Sequence, residues 1–366
     1  MMVILFYIFV AATIIQVVYL FSFSSVLFIK KEKKDTQKTP VSVIICAKNE
    51  EKNLSKFLPS ILQQSYSNFE IILINDASSD CTLEVMEDFQ DAHPNLKIVN
   101  VQNNEAFWGN KKYALTLGIK TASYEHLLFT DADCKPVSKD WIEKMVENFS
   151  EEKTIVLGYG KYKRIPNSFL NAMVRFETLL TAVQYFSYAH LGSPYMGVGR
   201  NLSYLRSNFF KTKGFISHIQ VKSGDDDLFI QEAADSSNTA ICLDPKSYTV
   251  SEPPLSWSSW FRQKRRHVST SAFYKLKHQL LLGLYVASKF ILYMLLIPLM
   301  IFYSWKLTTA ILAVYYIILL CVFGLFAKKL HEKKLTYLIP LLEVCLLLFQ
   351  FSIFISNKIT KPTHWK

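Results

Sequence analysis

Strand-like and helix-like stretches alternate from residue 41 onward, and that alternation predicts a doubly wound α/β domain. Two further observations support it. Acidic residues stand where several of the strands must end, and long apolar blocks occupy both ends of the chain. The expected architecture is one α/β domain with one N-terminal and about three C-terminal transmembrane helices.

The first block, "MMVILFYIFVAATIIQVVYLFSFSSVLFI", is long enough to cross a bilayer as a helix. Its basic residues follow the apolar run, as Lys30 and "KKEKK", which fits a retained anchor better than a cleaved leader. Residues 1–29 therefore read as a transmembrane anchor and 30–40 as a basic linker. "VSVIICA" is a short β-branched run suited to a buried parallel strand. In "KNEEKNLSKFLPSILQQS", Leu54, Leu58, Ile61 and Leu62 share helical spacing, with Asn49 or Asn53 available as a cap. "FEIILIND", "LKIVNV" and "HLLFTDAD" read as further strands, with "TLEVMEDFQDAH" and "NKKYALTLGIKTA" as the helices between them. No Gly-rich nucleotide loop follows the first strand.

Three more apolar segments lie near 280–304, 307–327 and 336–356. The positive-inside rule puts the loop "AKKLHEKK" and Lys30–Lys34 in the cytoplasm, and with them the middle of the chain. Four crossings would then place the basic tail "NKITKPTHWK" outside. Either the tail tolerates this, or one segment is re-entrant or interfacial. "WSSWFRQKRRHVSTSAFYKLKHQ" interleaves aromatics with cations, the pattern of an interfacial helix. The domain limits are thus 41–252 for the α/β domain, 253–279 for an amphipathic interfacial segment and 280–366 for the C-terminal membrane region.

Half of the 366 residues are hydrophobic, and mean hydropathy is +0.16. The net charge of +11 gathers beside the apolar segments, which points to anionic headgroups as partners. No nucleic-acid-binding motif accompanies the charge. The six cysteines are scattered without a CxxC pair, which suits a reducing compartment and gives neither a disulfide framework nor a zinc site.

In open α/β sheets ligands gather at the carboxyl ends of strands. Asn49 and Glu50 follow the first strand, Asp76 closes the second, and Asp131 and Asp133 close the fourth. Turn and cap formation explains each acid singly and the set less well. Two carboxylates separated by one residue suit a hard divalent cation such as Mg²⁺ or Mn²⁺ beside a phosphate. In "GDDDL" three adjacent carboxylates repel one another, and a helix N-terminus, a cation or a bound proton would relieve this.

Taken in order, "VSVIICAKNEEKNL", "NDASSD", "NKKYAL", "TDAD", "GVGRNLSYLRS", "GDDDL" and "QKRRH" resemble the processive-type branch of the family 2 glycosyltransferases, over roughly residues 40–270. The resemblance implies a GT-A fold and an inverting transfer from a nucleotide-diphospho sugar, a UDP-sugar; the basic segment beside the membrane, rather than any motif, points to a lipid, lipid-linked or polysaccharide acceptor. With the apolar blocks and the positive-inside rule, the expectation is an integral protein of a bacterial inner membrane with a cytoplasmic catalytic domain. By position, Asp76 resembles the aspartate that contacts base and ribose, with Ala47 and Glu50 lining the same pocket. Lys111 resembles the lysine near the phosphates, Asp131 a contact to nucleotide and metal, and Asp133 the principal metal ligand. Arg200 and Asn201 fall in the segment lining the donor-sugar and acceptor site. For the base, the register to the following leucine selects Asp225, the favoured reading, while matching the preceding acid selects Asp226. Gln263 and Arg266 match the closing Q-x-x-R-W motif for pyrophosphate or acceptor, but His267 replaces its tryptophan, which leaves the acceptor platform and processivity open.

Two other function classes fit the sequence less well. A sugar-nucleotide nucleotidyltransferase would carry a Gly-rich phosphate loop, and "ICAKNEEKNL" has no glycine. A non-catalytic membrane sensor of nucleotide-sugars would need no base, yet Asp133 and the Asp225/Asp226 pair are intact.

Overall fold

A computed structural model describes residues 1–29, 39–102, 111–221 and 223–360. The basic run Lys30–Lys34, most of the 30–40 linker and the end of the basic tail lie outside the described residues. In chain order the helices are α1 (Met2–Ser24), α2 (Glu51–Leu62), α3 (Thr82–Ala92), α4 (Lys111–Thr121), α5 (Trp141–Val146) and α6 (Phe169–His190). They continue as α7 (Arg206–Lys211), α8 (Asp227–Ala233), α9 (Trp257–Ser269), α10 (Leu276–Leu299), α11 (Trp305–Lys329) and α12 (Ile339–Ile359). The strands are β1 (Val41–Ala47), β2 (Phe69–Asp76), β3 (Leu96–Val101), β4 (His126–Asp131) and β5 (Cys134–Pro136). After them come β6 (Ile155–Leu157), β7 (Gly160–Tyr162), β8 (Leu202–Leu205), β9 (Thr239–Ile241) and β10 (Thr249–Ser251).

Chain contacts separate two units. The α/β unit, 31–165 and 188–254, holds a sheet in the order β3-β2-β1-β4-β8-β6-β9 and a smaller sheet β5-β10-β7. In the larger sheet β8 alone runs against its neighbours β4 and β6. Because β1 pairs in parallel with β2 on one side and β4 on the other, the strand order reverses there, which makes the topological switch point. Val41, Val43 and Ile45 pack with Leu54, Leu58, Ile61, Ile71 and Leu73 on one face, while Ile44, Ile72 and Ile74 are buried on the other. Burial on both faces is why these strands read as unbroken apolar runs rather than alternating ones. At Gly118 a side chain would collide with Ile74, so glycine lets α4 lie close on the sheet and fixes where its first residue, Lys111, stands.

Asn201 joins the two sheets. Its side chain accepts from the Trp141 indole at 3.0 Å and donates to the carbonyls of Tyr159 at 3.1 Å and Ser247 at 2.8 Å. It is wholly buried, just ahead of β8, while Tyr159 and Ser247 precede strands of the smaller sheet.

The other unit contains 1–30, 166–187 and 255–362. Residues 166–187, inside the span expected to be one continuous α/β domain, thus cluster with the apolar helices. Most of α6 lies there, and its Glu177 pairs with Lys264 of α9 at 2.6 Å while Arg175 pairs with Glu332. Met2–Phe28, Leu276–Lys329 and Lys333–Ile359 are long and apolar enough to cross a membrane. The middle stretch is two helices: Ser304 is extended at φ −155, and the Tyr293 and Tyr316 hydroxyls meet at 2.8 Å, which requires α10 and α11 to fold back on each other. Gln16 and Tyr19 of α1 bond to α10 at the Tyr285 and Leu281 carbonyls, at 2.7 Å each.

Replacing Asn201 by Leu removes the partner of the Trp141 indole and of the Ser247 carbonyl, at about 1–3 kcal/mol for each stranded group, while the Tyr159 carbonyl keeps the Thr249 amide at 3.2 Å. The purified Asn201→Leu protein should melt several degrees below the parent. An unchanged melting temperature would show that these bonds do not hold the sheets together.

Candidate active site

Parallel pairing brings several predicted residues to one sheet edge. Cys46 of β1 lies opposite Ile74 of β2 and Asp131 of β4, so Ala47, Asp76 and Asp131 leave the sheet together. Glu50 precedes α2; its carboxylate accepts from Asn53 at 2.6 Å and its amide donates to the Thr82 hydroxyl at 2.8 Å. Asp76 is 3% exposed, and burial pushes its carboxyl up, with the Lys48 ammonium 3.8 Å away and Lys111 acting against the shift.

A cleft of about 350 Å³ opens at the switch point. Its apolar wall includes Ile44, Phe129 and Leu202, and its polar groups are Lys111, Asp131, Asp225 and Asp226. Lys111 is the centre of charge. Its ammonium lies 3.1 Å from Asp131 and 2.9 Å from Asp225. Burial works against a charged lysine, but these two carboxylates outweigh it and hold Lys111 well above the usual range. Burial likewise raises Asp225, yet the paired Lys111 wins and keeps that carboxyl below its ordinary value.

Asp226 differs from its neighbour. One oxygen accepts from the Gly199 amide at 2.8 Å, and the other accepts from the Asp227 amide at 2.8 Å at the start of α8. Burial first, then the charges of Asp225 and Asp227, push its carboxyl to about 7. Two adjacent aspartates are thus driven apart in proton affinity by their surroundings.

Asp133 is pushed to about 6, by burial and then by Asp131, with Arg200 acting against the rise. Potential ligand atoms of Asp131, Asp133 and Cys134 all lie within 4.8 Å of one another. The Cys134 thiol also lies 3.3 Å from the Asp133 carboxylate and 2.9 Å from the Ser251 hydroxyl. Two crowded, half-buried carboxylates form an oxygen-rich site that fits a hard divalent cation. Arg200 stacks on the Tyr162 ring at 4.4 Å and faces the same two acids.

Asn201, expected to line the acceptor site, turns its side chain into the interior bonds described above. Gln263, Arg266 and His267 lie on α9 in the helical unit, the first two partly buried and His267 exposed. Sequence reading passed over Lys112, whose ammonium holds the carbonyls of His218 at 2.7 Å and Val221 at 3.0 Å, ahead of the acidic triplet. Burial pushes it down to about 8. It also passed over Cys134, whose sole signal was its place beside "DAD".

Residues 42–209 match the family model described as glycosyl transferase family 2. The poly-beta-1,6-N-acetyl-D-glucosamine synthase of Staphylococcus epidermidis is 35% identical over 129 residues, which is 35% of this chain and 29% of that protein. The 4,4'-diaponeurosporenoate glycosyltransferase of Staphylococcus haemolyticus is 35% identical over 137 residues, 37% of this chain and 33% of that one. The chain therefore spans about a third of the length of these curated relatives. Among solved structures, the mannosyltransferase PcManGT of Pyrobaculum calidifontis, in complex with GDP-Man and Mn2+, aligns with a TM-score of 0.62 at 18% identity, covering 92% of this chain and 96% of the other. At that identity the likeness is one of fold. Residues 42–209 thus carry a match to glycosyl transferase family 2, and the larger sheet is that of a GT-A fold.

Proposed function

We propose that the protein is an inverting, metal-dependent glycosyltransferase that moves a sugar from a nucleotide-diphospho sugar, a UDP-sugar, to a lipid, lipid-linked or polysaccharide acceptor at a bacterial inner membrane, with the α/β unit in the cytoplasm. One observation carries the reading: a lysine and three aspartates from three separate segments line a single cleft at the switch point of the sheet. The two relatives are named for a polysaccharide and for 4,4'-diaponeurosporenoate, so both acceptor kinds stay within it.

Asp76, with Ala47 and Glu50, takes the nucleoside. Asp131 and Asp133 are the residues that hold Mg²⁺ or Mn²⁺, which supplies positive charge to the donor's diphosphate when bound. Lys111 adds a fixed cation in a desolvated place, where charge stabilisation is strongest. Arg200, Gln263 and Arg266 serve pyrophosphate or acceptor. For the base, Asp226 is the better candidate. Asp225 is tied to Lys111, whereas Asp226 has a proton affinity near neutrality and no cation within bonding distance among its recorded partners. It takes the acceptor's hydroxyl proton as that oxygen bonds to the anomeric carbon. The bond from that carbon to the diphosphate oxygen breaks, and the electron pair leaves with the nucleoside diphosphate.

Purified protein incubated with a panel of nucleotide-sugars should release one nucleoside diphosphate, UDP, in a Mg²⁺- or Mn²⁺-dependent way. Release from no donor would refute the proposal. Asp133→Ala should abolish Mn²⁺ binding measured by calorimetry along with turnover; retention of both would remove the metal assignment.

Asp226→Asn should lower transfer by about 10²–10⁴-fold while donor affinity survives, and Asp225→Asn should act mainly on donor binding. A base must be deprotonated to act, so parent activity should rise with pH through about 7, the value to which Asp226 is pushed. A reversed pattern between the two variants would transfer the base to Asp225.

A further inference from the structure

The last apolar stretch, Lys333–Ile359, qualifies as a crossing by length and composition, but its contacts are not those of a crossing helix. We infer that α12 lies within one leaflet, the leaflet on the side of the α/β unit, and forms with α9 a surface whose partner is the lipid monolayer there. This goes beyond the proposed chemistry and does not depend on it.

The two ends of α12 supply the argument. The chain leaves the α/β unit at Pro254 and enters α9 at Trp257, so α9 lies on the aqueous side from which the chain came. Next come α10 and α11, a back-folded pair, so Lys328–Glu332 return to that same side. There Arg175 of α6 pairs with Glu332, and Glu177, nearly next to it, pairs with Lys264 of α9. The chain then starts α12. Its far end meets α9 again: Arg265 donates to the Asn357 side chain at 2.8 Å and the Ser356 carbonyl at 3.3 Å, and also binds Thr360, while Asn357 donates back to the Arg265 carbonyl at 3.1 Å. One turn earlier than these contacts, Trp260 stacks on Phe349 at 4.0 Å with planes 9° apart.

A helix of this length spans ~30 Å, the thickness of the hydrocarbon core. Were it a crossing, Thr360 would sit a full bilayer away from the Glu332 side. An arginine side chain on α9 cannot reach across that distance. The depth that α12 does attain is marked by Glu343, which accepts from Tyr315 at 2.7 Å and Tyr293 at 2.6 Å and pairs with Lys289 at 2.6 Å, all on the middle turns of α10 and α11. From Glu343 to Asn357 the helix climbs ~21 Å, enough to return from mid-bilayer to the interface. The residues between suit such a path. Leu348, Phe351, Phe354, Ile355 and Ile359 are exposed to lipid while Leu346, Leu347 and Ile353 are buried. Beside them, α9 and the segment after it expose Trp257, Phe273 and Leu276 together with Arg262, Lys275 and Lys277, the mixture that settles at an anionic headgroup layer.

With green fluorescent protein or alkaline phosphatase fused after Lys366 and the protein expressed in a bacterial inner membrane, the fluorescent fusion should be bright and the phosphatase fusion inactive. Separately, Thr360→Cys in a Cys321→Ser/Cys345→Ser background should react with an impermeant maleimide from the same face as the exposed Cys81 of the α/β unit. Active phosphatase, or labelling of position 360 from the face opposite Cys81, overturns the inference.

Discussion

The cleft is organised by one ammonium group between two carboxylates. At about 3 Å, and with an effective dielectric near 20, each attraction is worth about 5 kcal/mol, while removing each ion from water costs several. The pairs therefore come close to break-even as contributions to stability. Their consequence is directional. They lock Lys111 in its charged form and hold Asp225 ionised, while burial, then the charges of Asp225 and Asp227, push the Asp226 carboxyl up to about 7, with Lys111 acting against that rise. A single lysine at the first turn of α4 thereby fixes the charge state of Asp225, and the place of that turn depends on a helix lying so close to the sheet that a side chain at position 118 would collide with Ile74.

Much of this was legible in the sequence, for identifiable reasons. A strand buried on both faces writes an unbroken apolar run, so β1, β2 and β4 stand where "VSVIICA", "FEIILIND" and "HLLFTD" place them. A polar residue that ends such a run has to face the sheet edge, so topology alone points Asp76 and Asp131 to one crevice, whereas Lys111, at the start of a helix, is signalled only by the family resemblance. The helical unit was equally legible in composition: all four long apolar segments are helices.

What escaped the reading was information that only contacts hold. Two adjacent lysines, Lys111 and Lys112, look alike as letters; one faces the cleft, and the other is buried under a loop with its charge spent on two carbonyls. "DDD" gives no sign of which acid gains a lysine and which gains a backbone amide. Asn201 sits inside a motif that resembles a ligand-lining segment, yet its amide serves as a strut between sheets. Helix α6 has the length of an apolar block, 22 residues, but Arg175 and Glu177 interrupt it, and its membership of the helical unit depends on those two finding partners far along the chain.

The same logic explains why charges persist in the helical unit. Helix association in lipid gains nothing from the hydrophobic effect, because tails and side chains are equally apolar. Apolar surfaces alone would let α10, α11 and α12 slide or rotate at little cost. Glu343 removes that freedom, since it can be satisfied in only one register, where Lys289, Tyr293 and Tyr315 all reach it. A displaced helix would carry an unpaired carboxylate in hydrocarbon, a far larger penalty than any loss of packing. The intramembrane ion pair is therefore best understood as a constraint on alternatives rather than a source of stability. Gln16, bonded at 2.8 Å to Ser288 on the turn of α10 next to Lys289, extends that constraint to α1.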